Sequence, residues 1–170
     1  KLLRINLDKQ SYLFEELSGE YAKLGGRALS SQIINKEVPP TVDALDPRNK
    51  LIFAAGILAG TNFPNSGRLS VGAKSPLTGG IKEANAGGNA AQKLPRLGIQ
   101  AIVLEGSADQ LTTLKIDNNG VSFMGADSLK RMGNYQVIED LKKEHGDKVS
   151  IISIGPAGEK KLKAAGVSVT

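Results

Sequence analysis

The sequence predicts an α+β fold, in which strands and helices are mixed without a regular alternation. Three observations favour this class. Short apolar runs typical of strands occur in both halves of the chain, turn signals join several of them, and the amphipathic helices are few and short. The 170 residues are enough for one domain with a buried core. There is no internal repeat and no low-complexity tract.

The chain begins with a predicted hairpin and two helices. Leu3, Ile5 and Leu7 alternate with polar residues, as in a strand with one buried face. Ser18 is a candidate helix cap, and Pro39-Pro40 ends the second helix. The predicted elements are a strand over 3–7, a turn at 8–10, a strand over 12–17, a helix through 18–24 and a helix over 28–36.

The centre of the chain is unusually rich in glycine. After an apolar strand over 51–55, eight glycines occur in the 33 residues from Gly56 to Gly88. This density is too high for regular elements, and the strand-like piece over 68–74 argues against a flexible linker. We expect main chain that must approach another group closely.

The last third predicts ordinary elements. Asn118-Asn119-Gly120 is a strong hairpin turn signal, and Gly146 ends an amphipathic helix. The predicted elements are a short helix after 88 that Pro95 limits, a strand over 101–105, hairpin strands over 111–117 and 121–124, a helical turn over 128–132, a helix over 134–145 and a strand over 149–154.

The composition excludes several kinds of site. Cysteine is absent, so these residues supply no disulfide, no thiolate ligand for a metal or iron–sulfur cluster, and no cysteine nucleophile. His145 is the single histidine, which rules out a mechanism with two imidazoles. The net charge of +5 suits an anionic partner as well as a plain basic surface. Aromatic residues make up only 4%, which disfavours base stacking on single-stranded nucleic acid.

The best candidate for a binding site is the segment 84–94, which contains Asn85, Gly87 and Gly88. Glycines that open a helix leave amide groups accessible to an anion, and phosphate is the natural occupant. The alternative is a plain tight turn. The segment matches neither the P-loop nor the dinucleotide-binding glycine pattern, so those nucleotide sites lose support.

Arg68 is the second candidate. It follows Gly67 and begins a strand, so a glycine-rich loop presents a guanidinium that can bind phosphate or a polar heterocycle with two parallel hydrogen bonds. The alternative is a surface salt bridge. Arg27, after Gly25-Gly26, permits the same interpretation more weakly.

No set of residues forms a catalytic group. Asp43 and Asp46 flank a turn and are expected to cap it, and His145 lies at a helix end, where it interacts with the helix dipole. Ser75 has no histidine base nearby. The sequence therefore predicts a domain that binds a ligand, with no catalytic residue of its own.

The order of these motifs resembles the N-terminal domain of the aldehyde ferredoxin oxidoreductase family. Each motif is unspecific alone, but together they cover nearly the whole chain in the same order. They are the segments 49–56, 60–61, 66–68, 74–79, 84–88, 101–106 and 154–159. The sequence departs from the family pattern at Ile57, Ala59 and Ala28, where proline, threonine and glycine are usual.

The resemblance implies a fold of two packed mixed β-sheets with short helices, and a pair of tungstopterin (or molybdopterin) molecules that hold the metal through their sulfurs. A magnesium ion joins the pterin phosphates. Arg68 matches the arginine between the pterin and a four-iron four-sulfur cluster. Asn85, Gly87, Gly88 and Gly67 match the cofactor-binding loops, with the carbonyl of Asn85 as a magnesium ligand. Residues 1–170 would form the N-terminal pterin-binding domain.

The complete enzyme would oxidise aldehydes to carboxylates with ferredoxin as electron acceptor. The cluster cysteines and the substrate cavity would belong to later domains, so we expect residues 1–170 alone to be inactive. We expect a cytoplasmic protein that can form a homo-oligomer and has no nucleic acid or membrane partner. Two alternatives stay open: a stand-alone scaffold or binding domain without redox activity and, on charge alone, a nucleic-acid-binding protein.

Overall fold

A mixed sheet of six strands forms the centre of the chain, and a computed structural model describes all residues from 1 to 170. The strand order is β2-β1-β6-β3-β4-β5. Strands β1 and β6 are parallel, and every other neighbouring pair is antiparallel. The strands are β1 (Leu2–Asn6), β2 (Ser11–Glu15), β3 (Lys50–Ala55), β4 (Leu69–Lys74), β5 (Ile81–Ala86) and β6 (Ala101–Glu105).

Four helices and two small two-stranded sheets complete the fold. The helices are α1 (Gly26–Glu37), α2 (Ala90–Arg96), α3 (Asn134–His145) and α4 (Pro156–Glu159). The small sheets pair β7 (Thr112–Asp117) with β8 (Gly120–Gly125), and β9 (Ile152–Ile154) with β10 (Val167–Val169). Helices α1 and α2 pack on the central sheet, and α3 and α4 pack against β9. None of the helices has the length and apolar character needed to span a lipid bilayer.

The two faces of the central sheet build separate cores. On one face α1 buries Leu29, Ile33 and Ile34 against Leu2, Ile52 and Val103 of the sheet. On the other face Leu3, Phe53 and Leu69 lie under α2, together with apolar side chains of both two-stranded sheets. Alternation of side chains along each strand directs successive residues to opposite cores. The predicted α+β fold, with packed mixed sheets and short helices, is confirmed.

Several predicted element boundaries were wrong. The helix expected through 18–24 is a single 3-10 turn over Gly19–Tyr21, and the Ser18 side chain makes no cap hydrogen bond. Helix α1 begins at Gly26 and ends at Glu37, slightly outside the predicted range. Strand β9 contains only the last three residues of the predicted strand. The helical turn expected over 128–132 is a 3-10 turn over Asp127–Leu129.

The glycine-rich centre contains one strand that was predicted and one that was not. Strand β4 fills most of the expected range, whereas β5 was missed because its burial does not follow a simple alternation on the exposed edge of the sheet. Helix α2 continues through Pro95 to Arg96. A proline this close to the end of a helix removes at most one main-chain hydrogen bond.

A half-buried ion cluster ties β1, α1, β3 and β6 together at the start of β3. Arg4 donates two hydrogen bonds to Glu37, at 2.7 and 2.8 Å, and one to Glu15 at 2.8 Å. Lys50 bridges Glu37 and Glu105. Burial alone would raise the pKa of Glu37, but the hydrogen bonds from Arg4 and Lys50 outweigh it and hold the pKa below its ordinary value.

Candidate functional site

The register of β4 and β5 brings the predicted site residues to one face of the sheet. Leu69 pairs with Ala86 and Ser70 pairs with Asn85, so the next position of each strand places Arg68 opposite Gly87. Since side chains alternate, Arg68, Asn85 and Gly87 share the face on which Ser70 contacts α1. Asn85, Gly87 and Arg68 therefore lie on a common face of the sheet.

Arg68 presents an unpaired guanidinium to the glycine loop. Its side chain is exposed, and a side chain at Gly87 would begin 3.7 Å from its Nη1 atom. Arg4 and Arg48 hold ion pairs, whereas Arg68 and Arg27 hold none, so the predicted alternative of a surface salt bridge at Arg68 is wrong. A free guanidinium beside a loop without side chains can bind a planar or phosphate-bearing ligand through several donors.

Gly67 and Gly88 allow close contact between protein segments. A side chain at Gly67 would begin 2.9 Å from Nε2 of Gln92, whose Oε1 accepts a hydrogen bond from the Gly60 amide at 2.7 Å. Gly88 has φ +96°, and a side chain there would begin 2.8 Å from the carbonyl group of Thr170. These two glycines fix the shape of the loops, while Gly87 faces Arg68.

Two helix starts carry amides without a main-chain acceptor. The short helix α2 follows the glycines directly, as predicted; the Asn89 amide before it donates to the carbonyl of Thr170 at 3.1 Å, and the amides of Ala90 and Ala91 have no main-chain acceptor. Anion binding at α2 stays a prediction. At the start of α1, the amides of Gly26, Arg27 and Ala28 likewise have no main-chain acceptor.

The start of α1 lies next to Arg68. A side chain at Gly26 would begin 3.8 Å from the Cα of Gly56, and the Gly56 amide donates to the carbonyl of Arg68 at 3.1 Å. The N-terminal end of α1, with its partial positive charge, and the Arg68 loop thus form one electropositive edge of the molecule. Sequence reasoning placed Arg27 here only weakly and missed the free amides beside it.

The main-chain carbonyl of Asn85 faces the open edge of the sheet. The carbonyl of Arg68 accepts a hydrogen bond from the amide of Gly56, which directly follows β3, so the main-chain groups of Arg68 face β3. Successive residues of a strand direct these groups to opposite sides, so those of Leu69 face β5 and those of Ser70 face β3. The pair Ser70–Asn85 is then not hydrogen-bonded, and the Asn85 carbonyl points away from β4. No strand pairs with that edge of β5.

A chain of hydrogen bonds fixes the Asn85 side chain, and the sequence did not predict it. The amide of Asn85 and the hydroxyl of Ser70 both donate to Oε1 of Glu83. Ser70 Oγ lies 3.4 Å from Ser30 Oγ on α1, and Ser30 donates to the Arg27 carbonyl at 3.2 Å. Residues two apart in a strand lie on the same face, so the spacing of Glu83 and Asn85 would have indicated this contact if β5 had been predicted.

The other residues considered from the sequence have structural roles. Asp43 and Asp46 each accept a hydrogen bond from a main-chain amide two residues later, as expected of turn caps. Ser75 is buried and accepts hydrogen bonds from the amides of Leu77 and Thr78. His145 lies at the end of α3, with Nε2 3.6 Å from Glu144. None of them joins the Arg68 edge.

The site lies on a face of the central sheet. A cavity of about 690 Å³ lies elsewhere, between Lys130, Arg131 and Glu159. No group of three or more histidine, cysteine, aspartate or glutamate side chains could hold a metal ion. The site nevertheless fits a phosphorylated cofactor with its own metal. Free amides and a guanidinium suit its phosphates, and an unpaired carbonyl oxygen suits magnesium.

Comparison with known proteins agrees with these features. Residues 2–170 match the family model described as the N-terminal domain of aldehyde ferredoxin oxidoreductase. The tungsten-containing aldehyde ferredoxin oxidoreductase of Pyrococcus furiosus is 41% identical over 98% of this chain, and that of Pyrococcus abyssi is 43% identical over the same share. The chain spans 28% of the length of either relative.

A solved structure is similar over the whole chain. It is described as the active site complex BamBC of benzoyl coenzyme A reductase in complex with 1,5-dienoyl-CoA. The TM-score is 0.90 and the sequence identity is 32%, with 99% of this chain and 26% of the other chain covered. Sheet order and helix placement are therefore shared with a chain about four times longer.

Proposed function

Since the chain belongs to the aldehyde ferredoxin oxidoreductase family, we propose that it forms the cofactor-binding N-terminal domain of a tungsten-dependent enzyme that oxidises aldehydes to carboxylates. The observation that carries this proposal is the unpaired guanidinium of Arg68 beside Gly87, at the same edge as the free amides of α1. Arg68 forms no ion pair, whereas Arg4 and Lys50 of the central sheet do, so the Arg68 guanidinium is available to an anionic ligand.

The residues of this domain bind and orient the cofactor. Arg68 donates to the phosphates or the polar rim of a pterin, and Gly87 lets the ligand approach the main chain closely. The main-chain carbonyl of Asn85 offers magnesium the hard oxygen ligand that this ion prefers. When bound, the pterin-held tungsten supplies the redox chemistry, which no side chain here can perform.

The remaining parts of the enzyme complete the reaction. We place the four-iron four-sulfur cluster, its cysteines and the aldehyde cavity in domains outside these residues, because the chain contains no cysteine. Ferredoxin receives the electrons, and the protein works in the cytoplasm without a nucleic acid or membrane partner. Gly67 and Gly88 shape the loops that meet the cofactor.

Replacing Arg68 by alanine in the full-length enzyme tests the cofactor role. Loss of a charge-assisted pair costs about 1.5–3 kcal/mol, so retention of the cofactor should fall by roughly one to two orders of magnitude. The measurement is tungsten and magnesium per protein after gel filtration, with aldehyde oxidation as a second readout. Arg48→Ala is the control, because it also removes an exposed arginine, near the opposite end of β3.

The outcome separates the proposed function from the alternative of a scaffold. Normal metal content and turnover in Arg68→Ala would contradict a role in cofactor binding. Equal losses in Arg48→Ala would show that the effect is a general one on the fold. A full-length protein that contains neither tungsten nor a cluster would favour a binding domain without redox activity.

A further inference from the structure

Glu83 is half-buried and is the acceptor at the centre of a small polar network. Ser30 and Ser70 are almost completely buried between α1 and β4, and Gly72 leaves the space in which the Ser30 side chain lies. Ser70 donates to Glu83 from β4, and Asn85 donates to it from β5. The carboxylate therefore receives hydrogen bonds from both strands under the first turn of α1.

The charge of Glu83 has no partner of opposite sign. Other half-buried carboxylates, such as Glu15, Glu37 and Glu105, form ion pairs with arginine or lysine. Both hydrogen bonds to Glu83 reach Oε1, and both come from neutral groups. A side-chain carbonyl-type oxygen has two lone pairs, so Oε1 can accept from both donors at once and hold them in place.

The tether acts where the sheet is least supported. Strand β5 is an edge strand, and after Ala86 the chain leaves the sheet through Gly87 and Gly88. No strand holds the outer edge near Asn85, so main-chain hydrogen bonds hold the end of β5 only from the side of β4. Glu83 joins this end to Ser70, and Ser70 approaches Ser30 on α1.

We propose that Glu83 is a positioning residue for the magnesium and phosphate site. By accepting hydrogen bonds from Asn85 and Ser70, it fixes the end of β5, so that the Asn85 main-chain carbonyl and the Gly87 loop keep one position relative to Arg68. This inference rests on the proposed function, because it assigns Glu83 to the same site. The contribution of Glu83 is the hydrogen-bond acceptor and not the negative charge.

The test uses the purified full-length enzyme and measures the rate of magnesium loss to excess EDTA, together with tungsten content and the thermal unfolding temperature. Glu83→Ala removes both hydrogen bonds, and Asn85→Ala removes the one that connects Asn85 to Glu83. We expect each to release magnesium about five- to tenfold faster, the factor for one or two ordinary hydrogen bonds. The double variant should be no faster than either single one, because both break the same contact.

Glu83→Gln is the decisive variant. Its Oε1 atom still accepts from both Ser70 and Asn85, so magnesium loss should stay within twofold of the unchanged enzyme. Lys82→Ala is the matched control, since Lys82 is exposed and its side chain alternates to the other face of β5. A merely structural role would lower the unfolding temperature of Glu83→Ala without a faster loss of magnesium.

Three results would overturn the proposal. Glu83→Ala could retain magnesium like the unchanged enzyme, Glu83→Gln could lose it as fast as Glu83→Ala, or the effects of Glu83→Ala and Asn85→Ala could simply add. Arg68→Ala distinguishes this failure from failure of the proposed function. If Arg68→Ala loses the cofactor, the proposed function stands without a positioning role for Glu83. If neither variant changes metal content, both are wrong.

Discussion

Gly72→Ala tests the close approach of α1 to β4, the packing on which the site is built. Gly72 is buried, and an alanine Cβ would lie 2.9 Å from the Cβ of Ser30 and 3.3 Å from Cδ1 of Ile34. Carbon atoms in contact prefer separations of about 3.5–4.0 Å. Helix α1 therefore has to move away from β4 by roughly half an ångström or more.

The expected loss of stability follows from two opposing effects. Overpacking of a well-packed core costs about 1–3 kcal/mol. Replacing glycine by alanine returns about 0.4–1 kcal/mol, because the unfolded chain loses freedom. The net destabilisation should be about 1–2 kcal/mol, which lowers the unfolding temperature of a domain of this size by roughly 3–6 °C.

Thermal and urea unfolding measure this effect, with Gly125→Ala as the control. Gly125 also lies in a strand, but a side chain there would meet nothing within 4 Å. Gly125→Ala should be neutral or slightly stabilising. If Gly72→Ala were as stable as Gly125→Ala, the contact between α1 and β4 would be looser than described, and the positions of Ser30 and Ser70 would not depend on it.

Two further predictions concern acid and the site loops. The fold lowers the pKa of Glu37, so the ionised carboxylate stabilises the protein fully above its ordinary pKa of 4.5, and this contribution is lost as the pH falls below that value. In Glu37→Gln, the free energy of unfolding from urea titrations should therefore depend less on pH between about pH 5 and 3. Gly60 has φ +81°, a conformation that alanine rarely adopts, and an alanine Cβ there would lie 2.7 Å from the Cβ of Pro95. Gly60→Ala should therefore lower the free energy of unfolding by about 2–4 kcal/mol in the same assay.

Most of the fold could be predicted because its strongest signals are local. The Asn118-Asn119-Gly120 turn and the apolar runs at 51–55 and 101–105 specify a hairpin and two central strands, as found. Strand β5 escaped prediction because an edge strand has exposed residues on both faces, and its burial shows no period of two. Strand order and the parallel pair β1–β6 depend on distant contacts that no local pattern contains.

The candidate site was predictable in its residue types but not in its geometry. A glycine-rich loop and an arginine indicated an anion site, and the structure brings Arg68 to Gly87. The sequence did not predict, however, that the free amides of α1, about 60 residues earlier in the chain, lie at the same edge. Which helix start meets the loop depends on tertiary packing, here on the contact between Gly26 and Gly56.

The two ends of strand β3 differ in how the charges near them are paired. At its start, Lys50 belongs to a cluster in which every cation meets a carboxylate, so these charges stabilise the fold and offer little to a partner. At its end, about 17–20 Å away, Arg68 and the amides of α1 remain unpaired. These donors belong to exposed or half-buried residues, so water can satisfy them when no ligand is present, and an anion bound at this edge would take the place of that water. The hydrogen bonds of Glu83, the carboxylate on β5, face Asn85 and Ser70 rather than Arg68. The guanidinium of Arg68 forms no ion pair within the chain, as the proposed cofactor role requires.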